Sequence, residues 1–271
     1  MTEIPFRINS RVAVRPASPA PMTITSVDST AIPNPPNQLG QMTKLIDQNY
    51  TDGPSPCQTV IGRVQAVARI SAQERREQLV EAAIRVMSSE GLERATTRRI
   101  AEEAGTTQGV FHYAFQDKNE LLTAVVGAIT LEIEKILRRS VDPKQGLAQA
   151  INDAILGVWS YVQRDDGLQL MQYELTIFCR RTEGFEWLAE WQYARYAAST
   201  LEIFTESLQG QKLNITLPEL TNFIVAAVDG LIIQYEVLHD VSRTENDIRN
   251  VVTAACALAG ISPPKRVTSL L

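Results

Sequence analysis

From Ser71 onward apolar residues recur every three to four positions; ahead of Ser71 they show no period. Leu79, Ala82, Ala83, Val86 and Met87 fall on one stripe of a helix. Ser71-Ala72-Gln73-Glu74 before them is a capping box, in which the serine oxygen accepts an early helix N–H and the glutamate returns to the serine N–H. Gly91 stops the helix. The same grammar repeats downstream. Asp142-Pro143 sets a capping side chain before a first-turn proline, Thr216–Glu219 and Ser242–Glu245 are further boxes, and Gly105, Gly184 and Gly210 stand near helix ends. The pattern predicts helices at about 72–90, 97–104, 108–114, 118–139, 144–163, 166–182, 185–209, 217–238 and 245–259. No segment alternates as a strand does, so the expected class is all-α.

Residues 1–60 read differently. They hold nine of the 13 prolines and only eight charges, in runs such as Pro-Ala-Ser-Pro-Ala-Pro, and cannot bury enough surface to offset chain entropy. Residues 1–65 are therefore expected to be a disordered, dispensable extension, or an over-long start with the true beginning at Met42 or later. No compact apolar block with a small-residue cleavage site marks a secretory signal.

The 271 residues, 44% hydrophobic and 21% charged, suffice for a sizeable core. Three widely spaced cysteines, Cys57, Cys179 and Cys256, cannot make a disulfide framework and read as reduced thiols of a cytoplasmic protein. No uncharged apolar run reaches the ~18–20 residues of a membrane span, so no membrane partner is expected. The net charge of −5 is uneven: +1 over residues 1–65, zero over 66–140 and −6 over 141–271. Such a chain is no general polyanion binder, and any nucleic-acid contact must be local.

The stretch Thr96–Lys118, TTRRIAEEAGTTQGVFHYAFQDK, carries the most information. It reads as a short helix with Ile100, Ala101 and Ala104 inward, a turn at Gly105, and a second short helix begun at Thr106 or Thr107. That is a helix-turn-helix, whose second helix can lie in the DNA major groove. Phe111, Ala114 and Phe115 share the buried side of the second helix, which turns Gln108, Gly109, His112 and Tyr113 outward. Gln108 can pair with an adenine edge, His112 and Tyr113 can bond phosphates or bases, Gly109 lets the backbone approach, and Val110 can touch a thymine methyl. Lys118, unfavourable at a helix N-terminus by itself, makes sense beside a phosphate.

In this segment the sequence resembles the TetR family of bacterial one-component transcriptional regulators. The resemblance runs from Arg76 to Leu122 through Ala82-Ala83-Ile84, Gly91, Thr96–Ala101, Ala104-Gly105, Gln108-Gly109, Phe115 and Lys118–Leu122. It implies that Thr97 and Lys118 hold phosphates, that Arg98 and Gln108 reach base edges, and that Tyr113 contacts backbone or base; Thr107 completes the expected DNA-binding set. It also implies a C-terminal helical region that binds a small ligand and dimerises through its last two helices. His112, Ala114 and Thr106 depart from the residues usual in the family at those places.

Blander readings stand beside these. A helical hairpin with a glycine C-cap is common, a solvated histidine accounts for His112, and i,i+4 pairing with Glu102-Glu103 accounts for Arg98-Arg99, Arg99 in particular. His239 reads as a helix cap and Asp165-Asp166 as a capped turn. Most aromatics downstream read as core. Helix 166–182 nonetheless brings Gln169, Gln172, Tyr173, Glu174 and Thr176 near apolar Met171, Leu175 and Phe178, a mixture that suits a pocket. Trp159, Met171, Tyr173, Glu174, Phe178 and Trp191 are the expected effector contacts. Helices 217–238 and 245–259 are apolar on several sides, and a second copy would cover them; Phe223, Val228, Leu231, Ile232, Tyr235, Val251, Val252 and Ala255 are the expected homodimer interface.

No glycine-rich phosphate loop, G-x-S-x-G or H-E-x-x-H occurs, so no catalytic residue, metal or cofactor is expected. The expected organisation is a 1–65 extension, a three-helix DNA-binding domain at 66–118, a helical ligand-binding and dimerisation domain at 119–262 and a flexible tail at 263–271. The expected function is a cytoplasmic repressor that binds double-stranded operator DNA and is released by a small-molecule effector. The alternative is a helical carrier or enzyme that no longer reads an operator.

Overall fold

The computed structural model describes residues 71–164 and 167–264. The expectations for residues 1–65, for the tail beyond Pro264, for Cys57 and for Asp165-Asp166 fall outside them. The described residues form α1 (Ala72–Glu90), α2 (Thr97–Glu103), α3 (Gln108–Ala114), α4 (Lys118–Ser140), a 3₁₀ turn (Pro143–Gln145), α5 (Leu147–Val162), α6 (Leu168–Arg181), α7 (Glu186–Ser207), α8 (Leu217–Leu238) and α9 (Val241–Ala259), with no strand among them.

The caps explain most boundaries. Both halves of the boxes at Ser71/Glu74 and Thr216/Glu219 are formed. Two boundaries differ from the pattern by three residues or more. Asp142-Pro143 opens only the 3₁₀ turn, and α5 proper starts after Gly146. α9 starts four residues earlier than expected, because the Asp240 carboxylate accepts the Arg243 N–H at 3.0 Å and leaves Ser242 inside the helix. His239 ends α8 in the left-handed region, φ 49°, with its N–H on the Tyr235 carbonyl.

The α1–α3 head is held by α1. The predicted stripe Leu79, Ala82, Ala83, Val86 and Met87 is wholly buried, and it meets Ile100 and Ala101 of α2 and Phe111 and Phe115 of α3. Gly105, at φ 65°, makes the turn between α2 and α3, and the Thr106 N–H closes it on the Ala101 carbonyl at 2.9 Å. α4 leaves the head and packs against α5 and α7; α8 pairs with α9 and with α7. α6 returns to α1 where Gly167, at φ 97°, lies so near the Ser88 carbonyl that a Cβ would stand 2.5 Å from its oxygen. Only glycine permits that approach.

α8 is long and apolar enough to cross a membrane by length and composition. Asp229 at its middle and its packing on α7 and α9 are those of a bundle helix. Cys179 and Cys256 are buried free thiols, and burial pushes the Cys179 thiol up to about 11. No cluster of metal-ligating side chains occurs among the described residues.

Candidate functional site

Two surfaces carry the chemistry: the outer face of α3 and a cavity among α4–α8.

Phe111 and Phe115 anchor α3, their ring centroids 5.8 Å apart beneath the helix. Anchored so, α3 exposes Gln108, Gly109, His112 and Tyr113, while Val110 is half-buried. Tyr113 stands out furthest, 79% exposed. His112 sets its ring edge-on to Phe111 at 5.5 Å, which restricts where the imidazole can point. Thr107 is the N-cap residue, yet its hydroxyl makes no capping bond. The Gln108 amide donates to the Thr97 hydroxyl at 3.2 Å, so the first residues of α2 and α3 meet at one point of this face.

The basic residues are less free than their sequence suggests. Arg98 pairs with Glu102 at 2.9 Å. Arg99 is held by Glu90 at 2.7 Å and by Glu103 at 3.2 Å, and Glu103 also takes Arg85. The i,i+4 pairing foreseen for Arg99 is therefore present, and Glu90 is added to it by tertiary contact. Arg98 is exposed enough to exchange its partner for a nucleic acid, because exposed pairs contribute little. The Lys118 ammonium is half-buried and donates to the Leu92 carbonyl at 3.3 Å, and burial lowers its pKa.

Arg76 went unnoticed as a site residue. Its guanidinium donates to the Ala114 carbonyl at the end of α3, pairs with Glu120 at 2.8 Å and lies 4.1 Å over the Phe115 ring. It ties the end of α3 and the start of α4 to α1. Arginine 38 residues ahead of a carbonyl carries no local signal, so only the fold reveals it.

The cavity measures about 810 Å³ including its mouth. Ile133, Leu137, Ile155, Ile224 and Ile232 supply apolar wall. From α6 come Gln169, Gln172, Tyr173 and Thr176, spaced i, i+3, i+4, i+7 along one stripe. From α7 come Gln192, Tyr193, Tyr196 and Thr200, and from α8 Asp229. Tyr173 donates to the Asp229 backbone carbonyl at 3.1 Å. Tyr196 accepts from the Gln192 amide at 2.8 Å. Gln172 donates to the Gln169 carbonyl oxygen at 3.2 Å, which leaves the buried Gln169 Nε2 with no partner. Burial raises the pKa of Asp229, against a hydrogen bond from Tyr193, and raises those of all three tyrosines.

Of the six expected effector contacts, Tyr173 alone lines this cavity. Trp159 and Met171 are turned into the core, Trp159 edge-on to Tyr235 at 4.9 Å. Phe178 and Trp191 pack half-buried against the core, and Glu174 accepts the Leu92 N–H in the head at 3.3 Å. Trp159 and Met171 fill the interior, while three tyrosines and three glutamine amides line the space.

The expected interface residues also divide. Phe223, Leu231 and Val251 line a shallow groove between α8 and α9. Val228 and Ile232 face the cavity, Val252 and Ala255 are fully buried, and Tyr235 covers Trp159. The exposed apolar side chains of these helices are instead Ile233, Val237, Leu238, Val241 and Leu258. Gly230 has open space before it.

Residues 79–125 match the family described as bacterial regulatory proteins, tetR family. The chain is 28% identical over 167 residues to the HTH-type nicotine-responsive transcriptional repressor HdnoR of Paenarthrobacter nicotinovorans, covering 62% of this chain and 86% of that one. It is 36% identical over 84 residues to the HTH-type transcriptional regulator BetI of Escherichia coli, covering 31% of this chain and 43%, less than half, of BetI. Among solved structures, SmeT, the repressor of the Stenotrophomonas maltophilia multidrug efflux pump SmeDEF, shares the fold with a TM-score of 0.56 at 20% identity, over 72% of this chain and 96% of SmeT.

Proposed function

We propose that this chain, whose residues 79–125 match the tetR family of bacterial regulatory proteins, acts in the cytoplasm as a homodimeric repressor that leaves its operator when a small molecule fills the α4–α8 cavity. The observation that carries the reading is that one helix serves both surfaces: α6 lines the cavity with four side chains and touches the head through Glu174. The nicotine-responsive repressor HdnoR, similar over most of its length, supports an effector-released mode of action.

In this reading the head is the DNA-binding domain and the α4–α9 bundle the effector and dimerisation domain. Gln108 and Arg98 read base edges, with Val110 and Gly109 against the groove wall; Thr97, Thr107, His112, Tyr113 and Lys118 hold phosphates or neighbouring bases. A dimer must present its two α3 helices to successive major grooves, roughly 34 Å apart. An effector that binds better to a conformation with another spacing shifts the population away from DNA. Release by 100-fold requires a preference of about 2.7 kcal/mol. α4, which runs from the head into the cavity wall, and α6 are the two helices able to transmit it.

The test is binding of the purified chain to the promoter region beside its own gene at two salt concentrations. A specific complex with a steep log–log salt slope is expected. Equal, weak binding to every duplex would leave a ligand-binding bundle without an operator.

A further inference from the structure

The cavity wall is chemically one-sided. Asp229 places a carboxylate within it, and the described lining residues include no lysine, arginine or histidine. Tyr173, Tyr193 and Tyr196 line the cavity beside that carboxylate with electron-rich rings, and Tyr193 and Tyr196 stand edge to face, centroids 6.0 Å apart. A carboxylate taken out of water without a counter-charge is costly, and an entering cation removes that cost while the rings attract it directly. An anion would meet Asp229 head on.

We propose that the cavity takes an organic cation, a protonated or quaternary nitrogen set in an apolar frame, with the nitrogen between Asp229 and the tyrosine rings. This rests on the effector reading of the same cavity and names its chemical class. The walls of Ile133, Leu137, Ile155 and Ile224 suit the frame. Gln169 adds a second requirement. It is only 5% exposed, lines the cavity and has a buried amide N–H₂ without a partner, so a frame that carries a hydrogen-bond acceptor satisfies a donor that otherwise goes unmet. The tyrosine hydroxyls are not spare in the same way: Tyr173 is engaged with the Asp229 carbonyl and Tyr196 with Gln192.

The experiment is calorimetric titration of the full chain with three probes of one shape: benzyltrimethylammonium, its neutral isostere neopentylbenzene, and the anion phenylacetate. The cation is expected to bind about tenfold or more tightly than the neutral probe, with the anion weakest. Asp229→Asn should abolish the preference while neopentylbenzene still binds, which shows the cavity intact. Tyr193→Leu, at the half-exposed mouth, should weaken the cation alone. Neutral or anionic probe binding as tightly as the cation, or an undiminished preference in Asp229→Asn, overturns the proposal. A chain that still binds its operator but ignores the cation defeats this inference and leaves the regulator reading standing; one that binds the cation but no duplex does the reverse.

Discussion

Tyr173 and Glu174 are consecutive on α6 and hold different parts of the molecule: the Tyr173 hydroxyl donates to the Asp229 carbonyl at the cavity, and the Glu174 carboxylate accepts the Leu92 N–H in the loop that leads to α2. Lys118 at the start of α4 donates to the carbonyl of that same Leu92. The Leu92 residue is thus gripped by both helices that join the cavity to the head, one on its N–H and one on its C=O. A rotation of α6 that follows the Tyr173 ring must also move the Glu174 carboxylate, because both side chains are fixed to one rigid rod.

Glu174→Ala should therefore uncouple rather than disable. Operator binding and benzyltrimethylammonium binding should each persist, while the coupling between them, ordinarily about 1–3 kcal/mol, falls. The measurement is operator affinity with and without the cation, wild type against variant. Undiminished coupling would remove α6 from the transmission route.

At the α3 face, Gln108→Ala should cost about 1–3 kcal/mol on the cognate site and little on other sequences, because it removes the proposed base-edge contact. Lys118→Ala should weaken all sequences alike and also lower stability by about 1 kcal/mol, since its bond to the Leu92 carbonyl is lost. Equal losses on every sequence for Gln108→Ala would remove its reading role. The pair of variants separates base reading from backbone holding in one set of gel-shift titrations.

Arg76→Ala takes away the clamp on α3. With the hydrogen bond to Ala114, the Glu120 pair and the Phe115 ring contact all lost, the expected destabilisation is about 1–3 kcal/mol, read by denaturant unfolding. Operator affinity should fall too, although Arg76 touches no base in the proposed complex, because the end of α3 loses its tie to α1.

The proposed dimer surface can be separated from the core on α8 alone. Ile233→Glu or Val237→Glu introduces a charge where the protomer is open, and should give folded monomers by sedimentation with unchanged helical circular dichroism. Ile232→Glu places the charge among cavity and core residues and should unfold the chain instead. A folded dimer from Val237→Glu would move the interface elsewhere.

Asp229 sets a pH dependence whose sign is fixed by burial. Its native pKa is raised above the unfolded value, so the native state holds the proton more tightly and stability falls as pH rises between about 3.9 and the native pKa. Above that window the carboxylate penalty is present in full. Asp229→Asn should melt higher than wild type at pH 8, and the gap should close as pH is lowered through the window. Other groups titrate in both proteins and cancel in the difference. A gap that widens toward low pH would contradict the sign.

Legibility in the sequence followed the range of the forces involved. Capping at Ser71 and Thr216, the stripe Leu79–Met87 and the outward side of α3 are set within a few residues of one another, and all stand as expected. α9 was misread because two capping side chains compete there, and Asp240 wins with a bond that sequence ranks no higher than Ser242. Five of the six expected effector contacts lie away from the cavity for another reason. Periodicity tells which residues share a face of α6, and Gln169, Gln172, Tyr173 and Thr176 do share one, but it does not tell which face meets the cavity.

The amino-acid sequence by itself determined the helices of the described residues, the helix-turn-helix at 97–114 and the side chains that α3 turns outward, because local hydrogen bonding and helical period decide these. The tertiary structure alone decided that Arg76 reaches across to the end of α3, that Trp159 and Met171 are core, that Ile232 faces inward and Val237 outward, and that Asp229 meets three tyrosines. Each of those outcomes depends on the angles at which helices far apart in the chain come to pack, and packing angles follow from the fit of whole surfaces, which no short window of residues contains.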